Sequence, residues 1–313
     1  MGFVMKKVKK FFKNNYVVII PFLTTLFLYF FGAFINKIYP FGEETFLYSD
    51  MFEQYISYFN YVKDAILNGE SLFSSFSFSL GQNFYGILTY FCMSPLNIII
   101  LLSSKESLPF FILFIVSLKL ALSSMNMAIL LKTKLKSNLS IIIFAIIYGF
   151  MTYNLVYSTN IMWLDPVYLL PVIILGLEKL EKGKPLLYLV TLTLSICANY
   201  YISFSVCIFL VIYFIYYSLL NKTDFKKFLL NFIKYSIISA LLSAVILVPS
   251  IFNMIGGKLE TTSADFSFNL IYNPINLLYK FLVSDAKILL SDLPFITSSF
   301  SVNYHVLILQ KYY

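Results

Sequence analysis

Long apolar runs, separated by short lysine-bearing stretches, dominate the chain. Runs at 16–35, 109–131, 138–157, 167–180, 186–200, 202–220 and 228–249 approach the about 20 apolar residues that an α-helix needs to cross a bilayer core. The fourth and fifth are short, which suits a tilted span or a locally thin membrane. An eighth run, ILTYFCMSPLNIIILL at 87–102, contains Pro95 and Asn97, and a proline there favours a broken segment over a continuous helix. Between 36 and 107 the pattern turns polar and aromatic. Within it, MFEQYISYFNYVKDAIL at 51–67 repeats its apolar residues at helical spacing, as a helix lying on a membrane surface does. The expected fold is all-α: a polytopic transmembrane helical bundle over 1–249, with a long outer loop, 36–107, carrying interfacial amphipathic helices, and an outer segment at 250–313.

Composition agrees. The chain is 59% hydrophobic and 12% charged over 313 residues, about half the charge of an ordinary soluble domain. Mean hydropathy is +0.81, so lipid must cover part of the surface. All 23 basic residues are lysines. They cluster at the ends of apolar runs, which suits an anionic inner leaflet better than a nucleic-acid groove.

Lysine placement also sets the expected topology. If 87–102 spans, the KTKLK cluster at 132–136 falls outside. If it lies in or dips into the outer face, the inner loops become 1–15, 132–137, 178–185 and 221–234. Those four hold 15 of the 23 lysines and only Glu178, Glu181 and Asp224 among the acids. Short inner loops carry the excess of basic residues, so the second arrangement is expected: seven spans, the N-terminus inside, and most acids on a large outer polar surface. The opening MGFVMKKVKKFFKNNYVVIIPFLTTLFLYFFGAF is too long for a signal-peptide core and has no small-x-small cleavage site, so it is read as the first span.

Few residues carry recognisable chemistry. Asp50, in FLYSDMFEQY, could act as a general base or hold a metal near the membrane surface. With Ser49 and Glu53 it equally resembles a helix capping box. Asp165, in NIMWLDPVYLLP, stands beside the only tryptophan, Trp163, an expected interface anchor. Preceding Pro166, it also suits a helix N-cap. Lys119 falls mid-span, where a lone cation costs about 3 kcal/mol. It is expected to face the bundle interior and meet an anion, a lipid phosphate or a carboxylate, or else to snorkel. Cys92, Cys197 and Cys207 sit in apolar surroundings and form no CxxC, so neither a zinc site nor a disulfide framework is indicated. His305 is the single histidine, which excludes a multi-histidine metal site. No HExxH, P-loop, GxGxxG or GxSxG pattern occurs, so those enzyme classes have no support.

Several ordered blocks resemble the YfhO family of bacterial multi-spanning membrane proteins: SD-x3-QY and the LGQNFYG/SPLN pair within 39–102, NIMWLDP and NYY within 160–204, and NPINLLYKFL at 273–282. The resemblance runs from about residue 15 to 295. It implies a GT-C-type glycosyltransferase-like membrane protein of the bacterial cell membrane. Such a protein would move a sugar from a polyprenyl-phosphate carrier to a cell-envelope polymer such as teichoic or lipoteichoic acid at the outer face. By position it implies Asp50 as the catalytic acid of the first outer loop and Asp165 as an assisting one. Gln54, Tyr55, Asn83, Lys119 and Trp163 become substrate-binding candidates, and a divalent metal ion the one cofactor to consider. Family members are longer. FITSSFSVNYHVLILQKYY after Pro294 reads as an unrelated tail, so the expectation is a truncated chain lacking part of an acceptor site.

The expected mechanism is inverting transfer at the outer leaflet, with Asp50 as base or metal ligand. With no arginine in the chain, a lysine must neutralise the phosphate; Lys37, Lys63, Lys105 and Lys258 are outer-side candidates beside the deeper Lys119. Two rivals use no covalent chemistry: a transporter or lipid-handling protein with Lys119 as counter-charge, and an inactive scaffold or fragment. No internal repeat supports the first.

Overall fold

The computed structural model describes residues 2–77, 82–221 and 223–255. His305, Lys258, the NPINLLYKFL stretch and nearly all of the expected outer segment lie outside the described residues. Helices dominate what is described: α1 (Gly2–Ile35), α2 (Ile56–Asn68), α3 (Phe84–Ile87), α4 (Leu108–Leu131), α5 (Asn138–Gly149), α6 (Thr152–Val156), α7 (Leu164–Glu181), α8 (Leu186–Ala198), α9 (Tyr200–Asn221), α10 (Phe225–Leu242) and α11 (Ala244–Ile255). The strands are one short antiparallel pair, β1 (Ser74–Ser75) and β2 (Gln82–Asn83), with Ser74 opposite Asn83. The chain is thus an all-α polytopic bundle; among the described residues five helical segments are each long and apolar enough to cross a membrane, or up to seven if two bent pairs each count as one.

Helices α4 and α7 form the centre. Of the apolar window of α7, 89% is buried within the protein, against 17% for α1. Helix α1 packs on α4 and α5, while α8, α9 and α10 pack around α7. Close approach needs small residues. A Cβ added at Gly176 of α7 would stand 2.6 Å from the Tyr188 backbone nitrogen of α8, so only glycine admits that contact. The turn between these helices uses Gly183 at φ +74°, a left-handed conformation costly to other residues.

Two of the prolines inside helices leave carbonyls to which tyrosines donate instead. Pro171 cannot bond the Val167 carbonyl one turn earlier, and Tyr148 Oη donates to that oxygen at 2.8 Å. Pro249 leaves the Val245 carbonyl free in the same way, and Tyr85 Oη donates to it at 2.8 Å. Where no water reaches, such rescue keeps a broken helix tolerable.

Two apolar stretches are bent. Phe84–Cys92 and Pro95–Leu102 together have the length and apolarity of a span but meet at 102°. This is the geometry of a broken span or of a segment that dips in and returns, and the break falls at Met93–Ser94 ahead of Pro95. The continuous helix expected over 228–249 is instead α10 and α11, set at 72° about Ser243. Ser243 Oγ donates to the Ser239 carbonyl at 2.9 Å, adding to the bond that this carbonyl accepts from the Ser243 N–H at 3.1 Å. Asn199 separates α8 from α9. Its extended backbone (φ −160°, ψ 103°) ends α8, and its Oδ1 accepts from the Ile202 N–H at 2.9 Å to start α9.

Candidate functional site

Asp50 is exposed and leads a π-helical turn, Met51–Tyr55, that runs into α2. The capping-box alternative is not realised there. The Asp50 side chain makes no cap hydrogen bond, because the Ser49 carbonyl takes the first donors, Phe52 N at 3.0 Å and Glu53 N at 3.1 Å. Ser49 reaches that position with φ +53°, an unusual conformation for a serine. The carboxylate is therefore not spent on capping the helix. Burial raises the pKa of Tyr55 and Tyr58, and the charge of Asp50 raises both further, which places the carboxylate beside these two phenols.

Tyr55 is 4% exposed and donates through Oη to Asn160 Oδ1 at 2.9 Å. From there an aromatic wall continues. Phe91 lies 5.1 Å from both Tyr55 and Tyr58 and 4.6 Å from Tyr90. Trp163 donates from Nε1 to Tyr90 Oη at 3.3 Å and packs against Tyr157 and Tyr201 at 5.2 and 6.3 Å between ring centres. Asn199 fixes the wall from the far side, donating from Nδ2 to the Tyr90 carbonyl at 3.2 Å. The Tyr153 hydroxyl is buried with no protein partner among the described residues, 4.8 Å ring to ring from Tyr157.

Beneath this wall lies an ion pair. Lys119 Nζ of α4 stands 2.5 Å from Asp165 Oδ2 of α7, both side chains fully buried. Lys119 also donates to the Ile161 carbonyl at 2.9 Å, and Ser94 Oγ donates to Asp165 Oδ1 at 2.6 Å. One carboxylate thus ties α4, the start of α7 and the break at Ser94. Asp165 is not the N-cap of α7, since Trp163 holds that place and makes no side-chain cap bond. Sequence position suggested an anionic partner for Lys119, but not that the partner would be Asp165. The pair and Asp50 are linked through adjacent residues: Asn160 takes the Tyr55 bond and Ile161 takes the Lys119 bond.

The other candidates fall in separate places. Gln54 is exposed on the π-helical turn. Asn83 caps α3, accepting from Tyr85 N at 3.1 Å, and donates to Asn253 Oδ1 of α11 at 2.8 Å, so it joins two elements away from Asp50. Lys63 donates to the Ser103 carbonyl, while Lys37 and Lys105 are exposed. Among the described residues no three His, Cys, Asp or Glu side chains converge. The donor set around Asp50 does not by itself form a metal site. Ser94, Asn160 and Asn199 went unnamed as single residues. They sit inside the SPLN, NIMWLDP and NYY blocks, and that placement was the available signal.

The family model described as bacterial membrane protein YfhO matches residues 19–309, continuing past Pro294 through most of the segment that reads as an unrelated tail. No curated protein and no solved structure matches. With the family matched over most of its length and its helices apolar enough for several membrane crossings, the chain belongs to the YfhO family of bacterial multi-pass membrane proteins.

Proposed function

We propose that this protein is a GT-C-type glycosyltransferase that moves a sugar from a polyprenyl-phosphate carrier to a cell-envelope polymer such as teichoic acid at the outer membrane face. The observation that carries the proposal is Asp50: an exposed carboxylate, relieved of helix capping, at one end of an aromatic wall. Asp50 takes the proton from an acceptor hydroxyl as that oxygen attacks the anomeric carbon. The carbon–oxygen bond to phosphate breaks, the polyprenyl phosphate leaves with the electron pair, and the configuration inverts. Tyr58, Tyr90, Trp163 and Tyr201 offer ring faces to sugar rings. Lys63 and Lys105, on the same loop, supply the positive charge for the leaving phosphate. Asp165 and Lys119 hold the site in place through Ile161 and Ser94 and do not touch substrate.

The test is a transfer assay: purified protein with radiolabelled polyprenyl-phosphate sugar and teichoic acid. Label should appear in the polymer only when protein and acceptor are both present; no label above a protein-free control rejects the proposal. The two bent apolar pairs favour a second reading, a transporter of lipid-linked sugars built on discontinuous helices. That reading expects carrier movement across vesicles with no label in the polymer.

The orientation that this function needs has the N-terminus inside and residues 36–107 outside, with 84–102 dipping into the outer face. In a background with Cys92, Cys197 and Cys207 changed to serine, Glu70→Cys and Glu106→Cys are expected to react with an impermeant maleimide on intact cells. Lys136→Cys and Lys184→Cys should react only after lysis. All four positions are exposed. Labelling of Lys136→Cys on intact cells would reverse the topology.

A further inference from the structure

At the lysine-rich end of the bundle, away from Asp50, the ends of α4, α7 and α9 flank an open cavity of about 570 Å3 lined by Lys134, Lys179, Lys182, Tyr213, Tyr216 and Tyr217, with Glu178 in its wall. Glu178 is 6% exposed and already neutralised: Lys134 Nζ lies 2.6 Å from its Oε1, and Tyr213 Oη donates to the same oxygen at 2.5 Å. Lys134 also stands 5.8 Å over the Tyr217 ring, which fixes that side of the cavity. Lys179 and Lys182, one helical turn apart, make no ion pair among the described residues.

Cations at helix C-termini answer the partial negative charge there, and that accounts for one lysine at the end of each helix. It does not account for two ammonium groups, on Lys179 of α7 and on its C-cap Lys182, lining one cavity with two tyrosines of α9. Nor does it account for a buried carboxylate whose charge is cancelled from within the wall. Such a cavity presents donors and positive charge; the acid in its wall is already paired, and Glu181 lies near Tyr217 outside the lining. We propose that it binds a phosphate group, carried either by an anionic phospholipid headgroup or by a soluble phosphate. Lys179 and Lys182 meet the charge, and the hydroxyls of Tyr216 and Tyr217 donate to the phosphate oxygens.

The experiment uses the full chain in detergent, titrated separately with dioleoyl-phosphatidylglycerol, dioleoyl-phosphatidylcholine and inorganic phosphate, with bound ligand counted by native mass spectrometry. Saturable binding of phosphatidylglycerol above phosphatidylcholine identifies a lipid headgroup; saturable binding of inorganic phosphate alone identifies a soluble ligand. Either should weaken about thirtyfold in the Lys179→Gln/Lys182→Gln variant, from about a fivefold contribution per lysine. It should also weaken in Tyr216→Phe/Tyr217→Phe, which keeps every charge. Lys226→Gln/Lys227→Gln, exposed outside the cavity, should bind as wild type does. No preference over phosphatidylcholine together with no phosphate binding overturns the proposal. So does an equal loss in the Lys226/Lys227 variant, which marks unspecific surface charge.

Discussion

Changing Lys119 to methionine or Asp165 to asparagine is expected to destabilise the folded protein by about 3–5 kcal/mol, the cost of leaving one member of a buried ion pair uncompensated. Both side chains are fully buried, and three elements meet at the carboxylate. Methionine fills much of the space of lysine but leaves Asp165 charged with no cation beside it. Asparagine keeps the bond from Ser94 but strands an ammonium group among apolar side chains. The double change Lys119→Met/Asp165→Leu removes both charges together, and replacing a buried pair by apolar residues of similar volume is often neutral. It should therefore recover more than half of the lost stability. Thermal unfolding of the purified proteins in one detergent measures this. A double variant no more stable than the worse single one would mean that the carboxylate's bond to Ser94, not the charge pair, holds these elements.

Much of the architecture was legible in the apolar pattern. Runs near 20 residues announced α1, α4 and α9, because lipid demands a continuous apolar helix and little else produces one. The spacing over 51–67 marked the amphipathic stretch that the structure divides into a π-helical turn and α2. Bends were harder to see. Pro95 signalled the break at Ser94, whereas the break at Ser243 has no proline or glycine beside it. Pairings across the sequence were not legible either. Lys119 and Asp165 stand 46 positions apart, and Tyr55 meets Asn160 across 105. Local spacing offered helix caps for both aspartates; the pairing with Lys119 overrode it at Asp165, and the Ser49 carbonyl took the donors at Asp50. Ser94, Asn160 and Asn199, inside the family blocks, join segments distant in sequence, a role that single-position chemistry does not reveal.

Asp50→Asn separates chemistry from structure more cleanly than any change at the ion pair. The Asp50 side chain is exposed and makes no cap bond, so asparagine at this position should leave folding and membrane insertion unchanged. What it removes is the negative charge and the basic oxygen. Loss of a general base lowers rate by about 10²–10⁴-fold, so turnover in the transfer assay should fall by at least about a hundredfold with unchanged unfolding temperature. Asp50→Glu, which keeps the base but moves it by one methylene, should retain more activity than asparagine does.

Restoration of polymer glycosylation in cells tests the role of Asp50 most directly. A strain lacking teichoic-acid glycosylation receives the wild-type gene or the Asp50→Asn gene, with membrane levels of the two proteins matched, and polymer-bound sugar is measured. Wild type is expected to restore the sugar, and Asp50→Asn to leave the polymer bare. Full restoration by Asp50→Asn at equal protein level would contradict the catalytic assignment.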